Sequence, residues 1–196
     1  MKKLLKVYQD VDAYIDKEMK NCDNIACHKG CDACCKKSSD VMVFQPEAFN
    51  IVDYIAEKAT TAVGQKMLEQ MKAATSETEE CPFLVEGECG VYEVRPLACR
   101  TYYVHGEPCT EEEVHQGTRT QDMHLWDLKD LIPLHRPLIE ELYGVKDPNS
   151  QDAMFLSGAA ANYAYPLNKV MWPKFAEGVE NQMSASTTDK SDPDSK

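Results

Sequence analysis

The cysteines are the feature that most constrains this chain. Among its 196 residues there are nine, and eight of them lie between residues 27 and 109. An odd number of thiols cannot all pair as disulfides, and grouped thiols in a reducing compartment are typically metal ligands or redox groups. Buried, inert thiols are the simpler alternative, but so dense a grouping argues against it. The sequence therefore predicts a cysteine cluster with a chemical role.

The N-terminal residues bear on the redox compartment. Residues 1–7 begin with lysines and leucines as a signal peptide would, but Lys6, Asp10 and Asp12 interrupt any apolar run. No stretch is long and apolar enough to span a membrane. We therefore expect a cytoplasmic protein that does not associate with membranes. Its formal net charge of −12 repels phosphate, so nucleic acid is not an expected partner.

The cysteines fall into two groups along the chain. If the first group were helical, Cys27, Cys31 and Cys34 would share one face, because they are separated by four and three residues. In the second group, a hairpin between Cys81 and Cys89 would bring those two thiols together. The candidate metal ligands in the two groups are Cys27, Cys31, Cys34 and Cys35, and then Cys81, Cys89, Cys99 and Cys109.

Basic and aromatic residues near the cysteines suit such a site. Four thiolates around Zn²⁺ leave a net charge of about −2, which nearby cations would offset. Arg95 and Arg100 flank Cys99, and we expect them to donate N–H bonds to sulfur, with surface ion pairing an equally weighted alternative. Tyr92 and Tyr102 are expected to pack beside the site.

Hydrophobic periodicity predicts a mainly α fold with a small β-hairpin. Helices are expected over residues 3–20, 46–59, 61–74, 121–132 and 136–143, a short strand over 41–44, and a hairpin over 83–92 turning at Glu86-Gly87. Thr110 and Glu113 form a capping-box pattern for another short helix. We divide the chain into a cysteine-cluster domain with a helical insertion (1–110), a helical extension (111–179) and a disordered acidic tail (180–196).

Several segments together resemble the YkgJ-type cysteine-cluster family, which is named for a CxxCxxCC signature. They are Gly30-Cys31-Asp32-Ala33-Cys34-Cys35, Cys81-Pro82-Phe83-Leu84, Gly87-Glu88-Cys89-Gly90-Val91-Tyr92 and Arg95-Pro96-Leu97-Ala98-Cys99-Arg100-Thr101-Tyr102. The resemblance implies that eight cysteines chelate zinc or iron, and it leaves Cys22 as the ninth. It places the strongest ligand candidates at Cys31, Cys34, Cys35, Cys81, Cys89 and Cys99. Cys27 and Cys109 come next. Cys27 departs from the family pattern, because three residues rather than two separate it from Cys31.

The metal and its use stay open at this point. Eight thiols suit two Cys₄ zinc sites or one iron–sulfur cluster with spare thiols, in a structural or a regulatory role. His28 could replace one thiolate. The helical C-terminal part is a candidate surface for a protein partner.

An enzyme is the alternative function. Cys27-x₃-Cys31-x₂-Cys34 matches the cluster motif of radical S-adenosylmethionine enzymes, but a helix precedes it and no alternating βα series follows. Some members of the resembled family also carry a flagellin lysine-methylase label, which implies a link to protein methylation. Thiol redox chemistry at Cys31-x-x-Cys34 is a third reading, without the βαβ context it needs.

Overall fold

A computed structural model of the chain describes residues 2–28, 30–37, 40–110, 113 and 119–188. Most of this length is helical, as the hydrophobic periodicity predicts. The α-helices are α1 (Lys2–Met19), α2 (Ala33–Lys36), α3 (Gln45–Lys58), α4 (Ala62–Ala73), α5 (Leu97–Arg100), α6 (Leu128–Tyr143), α7 (Pro148–Leu156) and α8 (Trp172–Thr188). Short 3₁₀ turns cover Tyr92–Val94, Thr120–Asp122, Ala159–Tyr163 and Leu167–Lys169.

Polar caps and one glycine set several helix ends. The Thr61 hydroxyl accepts a hydrogen bond from the Gly64 amide at 3.1 Å and starts α4. Asp127 and Asp147 cap the first turns of α6 and α7 in the same way. Gly144, at φ +69°, ends α6 in the left-handed conformation that glycine adopts without steric cost, as predicted.

Helix α6 differs from the sequence prediction. Pro133 was expected to separate two helices, yet α6 runs unbroken through both Pro133 and Pro137. Each proline removes one backbone donor, which normally breaks or kinks a helix. Here the apolar face of α6 packs along α1, with Leu138 buried against the α1 residues, and this packing outweighs the lost hydrogen bonds.

The strands form two small antiparallel pairs. Strands β2 (Leu84–Val85) and β3 (Glu88–Cys89) make the predicted hairpin, and Glu86 and Gly87 turn it with φ of 55° and 80°. Two successive positive φ values match a type I′ turn, which suits the twist of a two-residue hairpin. The expected strand near residue 43 is β1 (Met42–Phe44), and it pairs with β4 (Ala164–Pro166), which the sequence did not predict.

Two hydrophobic cores hold the elements together. The larger lies between α3, α4, the hairpin and α8, with Ile51, Met67, Phe83 and Trp172 fully buried. The smaller lies between α1 and α6 and includes Leu97 of α5. The fold is therefore mainly α with a small β-hairpin, as predicted.

The C-terminal part departs from the predicted division of the chain. Helix α8 packs on α4 and continues to Thr188, so residues 180–188 are helical rather than part of a disordered tail. Residues 189–196 lie outside the described residues, as does most of the short helix expected after Thr110. No helix in the described part of the chain combines the length and apolar character needed to cross a bilayer.

Candidate metal centre

Five thiols from four separate segments meet at one place, and we call them the inner group. Cys34 and Cys35 lie on α2, Cys81 precedes the hairpin, Cys89 lies on β3 and Cys99 lies on α5. Hydrogen bonds connect Cys34 to Cys35 and Cys35 to Cys81. Cys99 lies within electrostatic range of Cys34, Cys35 and Cys89. Thiols that are up to 65 residues apart in the chain thus become neighbours.

Backbone contacts explain how these segments come together. The Cys81 amide donates to the Cys35 carbonyl at 2.7 Å, which fixes the start of the hairpin segment against α2. The Gly90 amide donates to the Phe83 carbonyl at 2.8 Å and closes the hairpin beyond Cys89. A Cβ atom at Gly90 would lie 2.6 Å from the Met67 sulfur, so only glycine fits at this position without displacing Met67. The packing of the hairpin on α4 therefore sets the place of Cys89.

The inner group is poorly solvated, and this determines its charge. Burial, followed by the neighbouring thiols, raises the pKa of Cys99 well above its ordinary value. The hydrogen bond to Cys35 and burial raise the pKa of Cys34, and burial raises the pKa of Cys89. These thiols are therefore protonated at neutral pH in the protein alone. Several adjacent thiolates would need a cation among them.

Three further thiols form a second set, which we call the outer group. Cys27, Cys31 and Cys109 lie within electrostatic range of one another, and Cys34 adjoins them from the inner group. The Val104 amide donates to the Cys27 sulfur at 3.4 Å. Cys27 and Cys31 do not share a helix, because α2 begins only at Ala33. The one-face arrangement expected for a helical first group is thus absent, although its cysteines still converge.

Arg95 is the cation beside the inner group. Its charge lowers the pKa of Cys34, Cys89 and Cys99, against the stronger effect of burial. The guanidinium lies 4.3 Å from the centre of the Tyr92 ring, so this partly exposed tyrosine covers it. Its Nε atom is buried and has no hydrogen-bond partner among the described residues. A thiolate formed among the neighbouring cysteines would accept a hydrogen bond from this buried donor.

Arg100 was expected to donate N–H bonds to sulfur, but its guanidinium donates to oxygen atoms instead. Its buried guanidinium donates to the carbonyl of Arg95 at 2.9 Å, to the carbonyl of Glu93 and to the carboxylate of Asp12. It also lies 4.0 Å from the centre of the Tyr8 ring. Arg100 therefore joins α5 to α1 and holds in place the backbone that precedes Cys99.

Glu47 is a second anchor for α5, and the sequence did not point to it. This fully buried carboxylate accepts hydrogen bonds from the Leu97 amide at 2.7 Å, the Phe44 amide at 2.9 Å and the Tyr8 hydroxyl at 3.3 Å. Burial raises the pKa of Glu47 to about 7, although each of these donors lowers it. Glu47 thus ties the start of α5, two residues before Cys99, to α1 and α3.

Arg119 anchors the backbone near the outer group, as Arg100 and Glu47 do near the inner group. Its buried guanidinium donates to the carbonyls of His105 and Glu107 at 2.8 and 2.6 Å, and to the Cys109 sulfur at 3.6 Å. Asp122 pairs with it at 3.0 Å. The sequence analysis did not identify Arg119, because no local pattern links this arginine to Cys109, ten residues before it. Tyr102, expected near the site, lies within electrostatic range of Cys27, Cys34 and Cys109.

His28 and the ninth cysteine, Cys22, make hydrogen bonds within their own segments. The His28 ring hydrogen-bonds to the Ala26 carbonyl at 3.2 Å, within its own segment. Cys22 follows α1, and its amide donates to the Met19 carbonyl at 3.2 Å. His105 and His124 are joined by a 2.9 Å hydrogen bond between their rings.

The thiols are neighbours without forming a coordination shell. Among the described residues, no three His, Cys, Asp or Glu side chains have the geometry that would hold a metal ion. The donor set nevertheless fits zinc or iron in its chemistry, because these metals favour thiolate sulfur and Arg95 supplies an unsatisfied donor.

Residues 26–123, half of the chain, match the CxxCxxCC family, whose description is "Putative zinc- or iron-chelating domain". The protein therefore belongs to this class of cysteine-rich metal-chelating domains. Within this class, the chain is a member of the CxxCxxCC family, as its sequence resemblance indicated. Neither the curated proteins nor the solved structures contain a match to it.

Proposed function

We propose that the inner group is a thiolate metal site whose main role is to hold the fold together. The observation that carries this proposal is the convergence of five thiols from four segments, with Arg95 beside three of them, Cys34, Cys89 and Cys99. The segments between them include the whole helical insertion of residues 36–80. A bound zinc or iron ion would supply coordination bonds that join these segments and restrict the unfolded chain.

The outer group supports a second position for metal. Cys27, Cys31 and Cys109 adjoin the inner group through Cys34. The Cys27 sulfur accepts a hydrogen bond from the Val104 amide, and the Cys109 sulfur accepts one from Arg119. Donors of this kind stabilise thiolate and orient it. We therefore propose all eight cysteines as ligands, with Cys34 between the two groups and Cys22 outside them.

Cysteine-to-serine variants test this assignment by elemental analysis of protein purified without oxygen. Replacement of Cys34 or Cys99 should remove most of the zinc or iron, whereas Cys22→Ser is the matched control and should retain it. Replacement of Cys109 should lower the content by less, because it affects only the outer group. Equal metal content in the Cys22 and Cys99 variants would contradict the proposal.

The ultraviolet–visible spectrum separates the two metals. A brown protein with iron and acid-labile sulfide would identify an iron–sulfur cluster, and a colourless one with zinc would identify a structural zinc site.

The enzymatic alternatives stay predictions. Cys27, Cys31 and Cys34 do lie close together, as a radical S-adenosylmethionine motif requires. However, the described strands form antiparallel pairs of two or three residues, whereas that family builds its site on a barrel of parallel strands. Cleavage of S-adenosylmethionine by the reduced, iron-loaded protein would favour this alternative. Transfer of a methyl group to a protein lysine would favour the methylation-linked one.

A further inference from the structure

An apolar pocket lies beside α5, lined by none of the cysteines. Its volume is about 260 Å³, and it is enclosed by β1, α5, α6 and the turn that follows α7. Leu97 and Thr101 line it from α5, Leu138 from α6 and Phe155 from α7. An engineered apolar cavity of about 150 Å³ is enough to bind benzene, so this pocket has room for a larger ring system.

The pocket carries no charged side chain, and its polar groups are acceptors. His135 is more than nine-tenths buried, lines the pocket and stacks near Phe155, with ring centres 5.0 Å apart. Its Nδ1 lies 3.0 Å from the Leu131 carbonyl, which can only accept, so Nδ1 carries the ring proton. The Thr101 hydroxyl donates to the Leu97 carbonyl at 2.9 Å and likewise keeps its lone pairs.

The other nitrogen of His135 is therefore left as an acceptor. Burial lowers the pKa of His135, so the ring is neutral at pH 7 and Nε2 has a free lone pair. No hydrogen bond joins Nε2 to another of the described residues, and Nε2 is not one of their fully buried unsatisfied atoms, so solvent in the pocket reaches it. A bound molecule that excludes this solvent leaves the acceptor uncompensated unless it supplies a donor itself.

We propose that this pocket binds a small, uncharged, mainly apolar ring compound that donates one hydrogen bond to His135 Nε2. The pocket shape sets the size of the ring system, and His135 selects for a hydroxyl or N–H group on it. The absence of a charged partner disfavours anions and cations. This site is separate from the metal centre, although α5 contributes to both.

Three bicyclic probes of nearly equal size test the chemistry, each measured by equilibrium dialysis against the full metal-loaded chain. 2-Naphthol has the donor, 2-methylnaphthalene has the same shape without it, and 2-naphthoate is charged. We expect 2-naphthol to bind roughly three- to tenfold more tightly than 2-methylnaphthalene, which is the usual worth of one neutral hydrogen bond. We expect 2-naphthoate to bind the weakest.

Two substitutions locate the site. His135→Phe keeps the ring and removes the acceptor, so 2-naphthol and 2-methylnaphthalene should bind it equally. Ala161→Trp should fill the partly open side of the pocket and weaken both neutral probes at least tenfold, by about 1.4 kcal/mol. Ala153→Trp, an exposed position of α7 outside the pocket, is the matched control and should bind as the unmodified chain does.

Several outcomes would overturn the proposal. They are equal binding of 2-naphthol and 2-methylnaphthalene to the unmodified chain, tighter binding of 2-naphthoate, undiminished binding to the Ala161→Trp variant, or no binding of 2-naphthol at 1 mM. Should His135→Phe fail to fold, the ratio of the two neutral probes on the unmodified chain still decides. Metal content, measured on each sample, separates this result from the fate of the metal proposal.

Discussion

Replacement of Glu47 by glutamine should change the way stability depends on pH. In the folded chain Glu47 is fully buried and has a pKa of about 7, against an ordinary value of 4.5. The folded state therefore binds the proton more tightly than the unfolded state does. The stabilisation that this provides is fully present below pH 4.5, and it is lost as the pH rises through 7.

The size of the effect follows from the shift in pKa. The rise of the pKa from 4.5 to about 7 corresponds to roughly 3 kcal/mol over the whole range. Between pH 5 and pH 8 the stability contributed by Glu47 should fall by about 2–3 kcal/mol. Glutamine does not titrate, so the variant lacks this pH-dependent contribution to stability. Its amide group would also oppose one of the backbone donors of Phe44 and Leu97, which costs about 1–3 kcal/mol.

Urea denaturation of both proteins at pH 5, 6, 7 and 8 measures the difference directly, because the titration of all other groups cancels to a first approximation. We expect Glu47→Gln to be less stable than the unmodified chain at every pH, because of the opposed backbone donor, with a deficit about 2–3 kcal/mol larger at pH 5 than at pH 8. Glu57→Gln, on the exposed face of α3, is the matched control and should stay within about 0.5 kcal/mol throughout. A Glu47→Gln difference that does not vary with pH would refute the reasoning.

Three further predictions concern the metal centre and the packing. Addition of a strong chelator should lower the melting temperature by roughly 5–10 °C in scanning calorimetry, because a ligand bound only to the folded state stabilises it, and an unchanged temperature would count against a structural metal. Arg95→Leu should weaken metal retention roughly tenfold in chelator competition, whereas Arg136→Leu, whose arginine pairs with Asp152 on α7, should leave retention unaltered. Gly64→Ala should destabilise the chain by more than about 2 kcal/mol in urea denaturation, since its Cβ would lie 1.9 Å from the Lys58 carbonyl oxygen. Gly178→Ala, in helix α8 with no atom within 4 Å of the added Cβ, should stabilise it by up to about 1 kcal/mol, and equal effects of the two would contradict this account.

Local patterns in the sequence predicted local structure well. The stripe of α3 and α4 and the Glu86-Gly87 turn depend on neighbours a few residues away, and all three are present. Pro133 misled the prediction because the packing of α6 against α1, a contact between distant segments, decides its conformation. Strand β4 was missed for a related reason, since three residues give no periodicity and only β1 specifies the pairing.

For the candidate site too, the local features were predictable and the contacts between distant segments were not. Cysteine identity and spacing indicated which thiols could act together, and the described structure brings eight of them into two adjoining groups. The supporting residues were harder to predict. Arg119 and Glu47 act through backbone groups that only the folded chain brings near, and Arg100 turns from sulfur toward Asp12, a partner 88 residues away.

Residues 42–44 pair with residues 164–166, so the β1–β4 sheet cannot form until synthesis has reached Pro166. At about 5–20 residues per second, the ribosome needs roughly 3–11 s to proceed from Cys109 to Pro166. All nine thiols have been synthesised by then, whereas α8, which completes the larger core, has not yet been made. During those seconds the nascent thiols are open to oxidation and mispairing, and capture of an ion by the newly made cysteines competes directly with both.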